Sequence, residues 1–85
     1  MFFKRNPPVI VFSTPSCGFC HLTKRYLQQH HIRFQEIDIS QNLMAANDMV
    51  MRSGQRSVPV LDIGGQIIVG FNRPEIDALL GISPN

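Results

Sequence analysis

Apolar positions fall into short groups divided by turn residues, and their spacing sets the elements. Val9, Ile10, Val11 and Phe12 form an unbroken run of β-formers between Pro7-Pro8 and Ser13-Thr14-Pro15. Such a run predicts a strand covered on both faces. Over residues 17–29, Phe19, Cys20, Leu22 and Leu27 recur among polar residues, with Lys24 and Arg25 toward the second half. That pattern predicts a helix with Ser16 as its N-cap, its basic residues where the dipole favours them, and His30-His31 at its end. Residues 33–39 alternate only partly, Phe34 being out of phase with Ile37 and Ile39, and predict a second strand. Ser40 is expected to open a second helix over about 41–52, with Leu43, Met44, Met49 and Val50 available to a core and Gly54 as its left-handed stop. Residues 57–63 predict a third strand interrupted near its start by Pro59. Gly64-Gly65 is a tight-turn signal, and 66–69 complete a hairpin. Pro74 suits the first turn of a last helix over 75–80, preceded by Asn72 or Arg73 and closed by Gly81. Residues 1–8 read as an irregular leader and 83–85 as a free tail.

The order is therefore β-α-β-α-β-β-α, an α/β domain. A helix joins the first two strands, which predicts a parallel pair. The last two are antiparallel, giving a mixed four-stranded sheet with helices on both faces. Eighty-five residues and 9.6 kDa fit one domain, here 1–85. With 44% hydrophobic and 16% charged residues, the chain has material for one core, and global disorder is excluded. A net charge of +2 lacks the dense basic stripe of a nucleic-acid binder. No apolar run approaches the roughly 18–20 residues of a membrane span. The N-terminus does not read as a secretory signal, so a cytoplasmic location is expected.

Two cysteines, Cys17 and Cys20, stand in a C-x-x-C spacing. A bridge between them would close a loop holding only Gly18 and Phe19, too short to restrict the unfolded chain much. Structural zinc needs four ligands, and His21, His30 and His31 lack the paired spacing. Two ordinary buried helix cysteines remain a weaker alternative to redox chemistry. Placed after a strand and at the opening of a helix, Cys17 meets unpaired N–H groups and the helix dipole, which favour the thiolate that attacks disulfides. Cys20, about one turn later on the same side, is positioned to resolve the resulting mixed disulfide. Pro59 is the second feature, because a proline beginning a central strand breaks strand rules unless it has a role. A cis Val58–Pro59 bond beside Cys17 is one reading and an ordinary trans-proline at a strand edge the other.

Thr14-Pro15-Ser16-Cys17-Gly18-Phe19-Cys20, then Ser53-Gly54-Gln55-Arg56-Ser57-Val58-Pro59, then Val69-Gly70-Phe71 closely resemble the glutaredoxins and small glutaredoxin-like redoxins over about residues 9–82. The resemblance implies a thioredoxin-like fold and a dithiol oxidoreductase acting on disulfide-containing proteins. It also implies a cis-Pro59 next to Cys17 and a peptide or glutathione groove. That groove would draw on Ser16 and Phe19, on Arg56, Ser57, Val58 and Pro59, and on Gly70, Phe71 and Asn72, with Val58 offering main-chain bonds to the bound thiol. The glutaredoxin pattern is broken at three places. Gly18-Phe19 replaces Pro-Tyr, Thr14 stands where many relatives carry a glutathione-binding lysine, and Asn72 stands where an acidic residue would meet the glutathione amine. Gly70-Phe71-Asn72-Arg73-Pro74-Glu75 is similar instead to a stretch of the redoxins that serve ribonucleotide reductase. Glutathione and thioredoxin reductase are thus both candidate electron donors, with no bound cofactor or metal and a monomer expected. An iron–sulfur carrier bridging two chains is the alternative function. Arg56 reads equally as a groove charge or a solvated loop residue, Phe71 as core packing or a partner contact. Lys24-Arg25 reads most simply as a solvated helix face.

Overall fold

The computed structural model describes residues 7–83. Seven elements follow in the expected order: β1 (Val9–Ser13), α1 (Gly18–Gln29), β2 (Gln35–Asp38), α2 (Leu43–Ser53), β3 (Val60–Ile63), β4 (Gln66–Val69) and α3 (Arg73–Leu80). The sheet order is β2-β1-β3-β4. β1 runs parallel to β2, with Val11 opposite Glu36 and Ser13 opposite Asp38. It runs antiparallel to β3, with Phe12 opposite Val60. β3 and β4 form the hairpin.

β1 is apolar from Val9 to Phe12 because both its faces are covered. Val9 and Val11 pack with Leu61, Ile63 and Ile68 under Tyr26 and Leu27 of α1 and Ile76 and Leu80 of α3. Phe12 points the other way, with Val60, onto Met49 of α2. Side chains alternate across a strand, so one continuous run serves two cores, with α1 and α3 on one face and α2 on the other. The same geometry explains the broken alternation before β2. Phe34 joins the α1 face, whereas Ile37 and Ile39 pack on the α2 face.

Several boundaries differ from the sequence expectation. The N-cap of α1 is Cys17 rather than Ser16. Its buried stripe is Cys20, Thr23, Tyr26 and Leu27, which leaves Phe19 and Leu22 exposed. α2 starts at Leu43, because Asn42 supplies the cap by accepting the Ala45 N–H at 3.0 Å. Ser40 instead turns back on Asp38, donating both its hydroxyl (2.6 Å) and its N–H (2.9 Å) to one carboxylate oxygen. β2 is shorter than 33–39, and β3 begins at Val60 rather than Ser57. Pro59 has no N–H to give a ladder. α3 begins at Arg73 under an Asn72 cap, with Pro74 in its first turn and Gly81 closing it.

The hairpin turn holds Gly64 at φ 59° and Gly65 at φ 91°, values that favour glycine at both positions of a two-residue turn. Asp62 accepts the Gly65 N–H at 2.8 Å. The Gly64 N–H donates to the Pro8 carbonyl at 2.9 Å. Of the expected leader and tail, residues 1–6 and 84–85 lie outside the described residues.

Candidate active site

The turn from β1 into α1 places the first sulfur. The Cys17 N–H donates to the Thr14 carbonyl at 3.3 Å, closing a turn over Pro15 and Ser16. His21 Nε2 lies 3.0 Å from the Pro15 carbonyl, tying that turn to the helix. Cys17 is extended at the cap (φ −87°, ψ 111°), so its side chain swings over the helix end and Sγ accepts the Cys20 N–H at 3.1 Å. A backbone donor at a helix N-terminus favours a charged sulfur. Sγ also lies 3.7 Å from the Val58 carbonyl, and the Val58–Pro59 peptide is cis. Cys17 is half-buried, Cys20 is fully buried, and both are free thiols.

The two sulfurs thus occupy different environments. Burial pushes the Cys20 thiol up to about 12, and the neighbouring Cys17 adds to the rise, while the Thr14 backbone and Lys24 act against it. At neutral pH Cys20 is a protonated thiol, held one turn behind a sulfur that reaches solvent. A Cβ on Gly18 would meet no other part of the chain within 4 Å, so the helix start is open to solvent there. Gly18, Phe19 and Leu22 line a shallow cavity of about 510 Å³, with Phe19 63% exposed.

The remaining expected site residues divide. Val58 and Pro59 adjoin Cys17, and the Pro59 carbonyl accepts the Gly70 N–H at 2.9 Å, which brings Gly70 (φ 79°) to the same loop cluster. Thr14 contributes its carbonyl to the turn, and Ser16 is exposed on it. Phe71 packs against the core and meets Tyr26 edge to face at 5.7 Å, which supports its packing role. Asn72 caps α3, accepting the Glu75 N–H at 3.3 Å while donating to the Glu75 carboxylate at 3.0 Å. Its polar groups are engaged within the helix start. Ser57 is exposed and accepts the Gln55 amide at 2.9 Å. Arg56 borders a cavity with Ile39, Met49, Val50 and Met51 of the α2 face. That surface is distinct from the one formed by Gly18, Phe19 and Leu22.

A polar cluster under α1 had no counterpart in the sequence reading. Glu36 Oε2 accepts Ser13 Oγ at 2.6 Å and Lys24 Nζ at 2.7 Å. These two donors hold the Glu36 carboxyl below the usual carboxylate range. Lys24 is therefore not a solvated helix residue, its side chain being 20% exposed. The Cys20-to-Lys24 interval of four was a usable signal. Glu36 gave none, because its position depends on the β1–β2 register. Among the described residues, no group of three or more His, Cys, Asp or Glu side chains converges on a metal-sized site. No helix among them is long and apolar enough to cross a membrane.

A mixed sheet in the order β2-β1-β3-β4, flanked by three helices, with a C-x-x-C at the first helix start facing a Val-Pro loop, defines a thioredoxin-like protein of glutaredoxin type. The chain belongs to the glutaredoxin family, whose model matches residues 9–68. It is similar to a glutaredoxin-like 8.6 kDa protein in the rubredoxin operon of Clostridium pasteurianum, with 41% identity over 70 residues, 82% of this chain and 93% of that one. It is 32% identical over 77 residues to glutaredoxin 3 of Escherichia coli, covering 89% of this chain and 93% of that one. The structure of the glutaredoxin-like NrdH-redoxin from Escherichia coli superposes with a TM-score of 0.77 at 26% identity, covering 85% of this chain and 93% of that one. The chain is a glutaredoxin-like redox protein with a C-x-x-C motif at Cys17 and Cys20.

Proposed function

We propose that this chain is a dithiol oxidoreductase that reduces disulfides in proteins. The observation that carries the reading is the unequal cysteine pair. One sulfur lies at a helix start and accepts a backbone N–H at 3.1 Å, and the second is buried one turn behind it. In this mechanism the Cys17 thiolate attacks a substrate disulfide R–S–S–R′, forming Cys17–S–S–R and releasing R′–S⁻. Cys20 then loses its proton and attacks the Cys17 sulfur, giving the Cys17–Cys20 disulfide and the reduced thiol R–SH. The Val58 main chain and the exposed Phe19 offer, respectively, a polar edge and an apolar contact to the segment carrying the disulfide.

The protein works as a monomer in a reducing compartment such as the cytoplasm, where thiols are kept available. Two thiols, or the electrons of a reductase, return the pair to its starting state. Glutathione and thioredoxin reductase are the two candidate donors. The family generally interacts with glutathione and disulfide substrates, whereas the NrdH-redoxin neighbour has a thioredoxin-like activity profile. Engagement of Asn72 in the α3 cap and the absence of a lysine at Thr14 favour the reductase.

The test follows reduction of a protein disulfide with glutathione in one arm and NADPH plus thioredoxin reductase in the other. Turnover is expected in the reductase arm and should vanish in Cys17→Ser. Cys20→Ser should trap a mixed disulfide at Cys17. Full turnover by Cys17→Ser overturns the reading.

A further inference from the structure

We propose that Lys24 is a positioning residue for the second step: its ammonium, fixed against Glu36 one helical turn from Cys20, stabilises the Cys20 thiolate as that sulfur attacks the mixed disulfide. The inference rests on the dithiol reading and assigns one of its steps to a side chain outside the C-x-x-C.

The need arises from burial. Cys20 is fully enclosed, and forming an uncompensated charge there is costly. Both residues lie on α1, and residues four apart on a helix share one face, so Lys24 follows Cys20 by one turn on the same side, whereas the adjacent Arg25 is exposed. Lys24 is also held in place. Its Nζ and the hydroxyl of fully buried Ser13 both donate to Glu36 Oε2, at 2.7 and 2.6 Å. The clamp spans α1, β1 and β2, and only 20% of the Lys24 side chain reaches solvent. In the reduced pair, burial and the neighbouring Cys17 oppose ionisation of Cys20, while the Thr14 backbone and Lys24 assist it; once Cys17 is joined to the substrate sulfur it carries no charge, and burial is the cost that Lys24 offsets. Those acting on Glu36 are Lys24 and His21 of α1 and Ser13 of β1. The step balances as Cys20–SH + Cys17–S–S–R → Cys17–S–S–Cys20 + R–SH, the Cys20 proton ending on the released thiol.

Rapid mixing of the reduced protein with the neutral disulfide dithiodipyridine separates the two steps. One thiopyridone is released when Cys17 attacks and a second when Cys20 resolves. Lys24→Gln keeps a donor for Glu36 but removes the charge. It is expected to slow the second release at neutral pH by about three- to tenfold. The pH profile of that phase should move upward, with the first release unchanged. Lys24→Met should slow it equally, and Lys24→Arg should restore it. An unchanged second phase in the Gln and Met variants, equal slowing of both phases, or no rescue by arginine would overturn the inference. A wild-type protein with no first release would instead overturn the dithiol reading on which it rests.

Discussion

On one face of the sheet, α1 and α3 bury Tyr26, Leu27, Ile76 and Leu80 against three strands. On the other, Met49 is the only fully buried residue of α2, and Leu43, Met44 and Met51 of that helix are 75%, 83% and 84% exposed. The α1 face also carries a lateral lock. The Tyr26 hydroxyl donates to Asp77 of α3, and Arg73 lies over the Tyr26 ring at 4.6 Å. α2 depends more on polar ties, Arg52 donating to Asp62 of β3 at 2.5 Å and more weakly to Asp48. Both cysteines ride on the deeply anchored helix. The proposed disulfide exchange needs its sulfurs held in register with the Val58–Pro59 loop, and the deeper burial of α1 lies on the side that carries them.

If that contrast is real, equivalent truncations should cost unequal amounts. Leu27→Ala should lower unfolding free energy by about 3–5 kcal/mol, and Met49→Ala by about 2–3 kcal/mol, since a smaller buried cluster beside a surface cavity can relax around the loss. Urea denaturation of both variants checks this, and a larger cost at Met49 would break the comparison. Tyr26→Phe removes the bond to Asp77 and should cost about 1–2 kcal/mol, with more frequent amide exchange in α3 as its local sign. Met51→Gln on the exposed side of α2 should stay within about 0.5 kcal/mol of the parent; a larger loss would reveal packing on that helix that its exposure denies.

The clamp under α1 adds a pH signature to the same face. Glu36 has a folded pKa below its unfolded value, with the Lys24 hydrogen bond the main cause and the Ser13 hydroxyl the next. Its contribution is therefore complete above the ordinary carboxylate range and disappears as pH falls through the depressed value. Denaturation midpoints measured from neutral to strongly acid pH should fall less in Glu36→Gln than in the parent.

Much of this was written in the local sequence. The continuous run 9–12, the C-x-x-C opening a helix, the Gly64-Gly65 turn, and Gly54 and Gly81 as left-handed stops each follow from the conformational limits of a few neighbouring residues. Errors gathered at helix starts. Ser16 and Ser40 each have an oxygen suited to capping, yet Cys17 and Asn42 hold the cap geometry, because where a loop leaves the sheet decides which side chain reaches the free N–H groups. Phe19 and Leu22 fit a helical stripe by type, but the face of α1 that meets the sheet is set by Tyr26 and Leu27.

The sequence by itself determined the order of elements, the two sulfurs, and the placement of the first at a helix start, since these depend on contacts within a few residues. Tertiary structure alone decided that β3 pairs antiparallel with β1 and that Glu36 lies where Ser13 and Lys24 both reach it. It also decided that one cysteine is buried while the other is not. The strand pairing and the Ser13–Glu36 contact depend on register between segments more than twenty residues apart, and the cysteine burial on which face of α1 meets the sheet; both are set by how the two faces of the sheet fill, which no local pattern encodes.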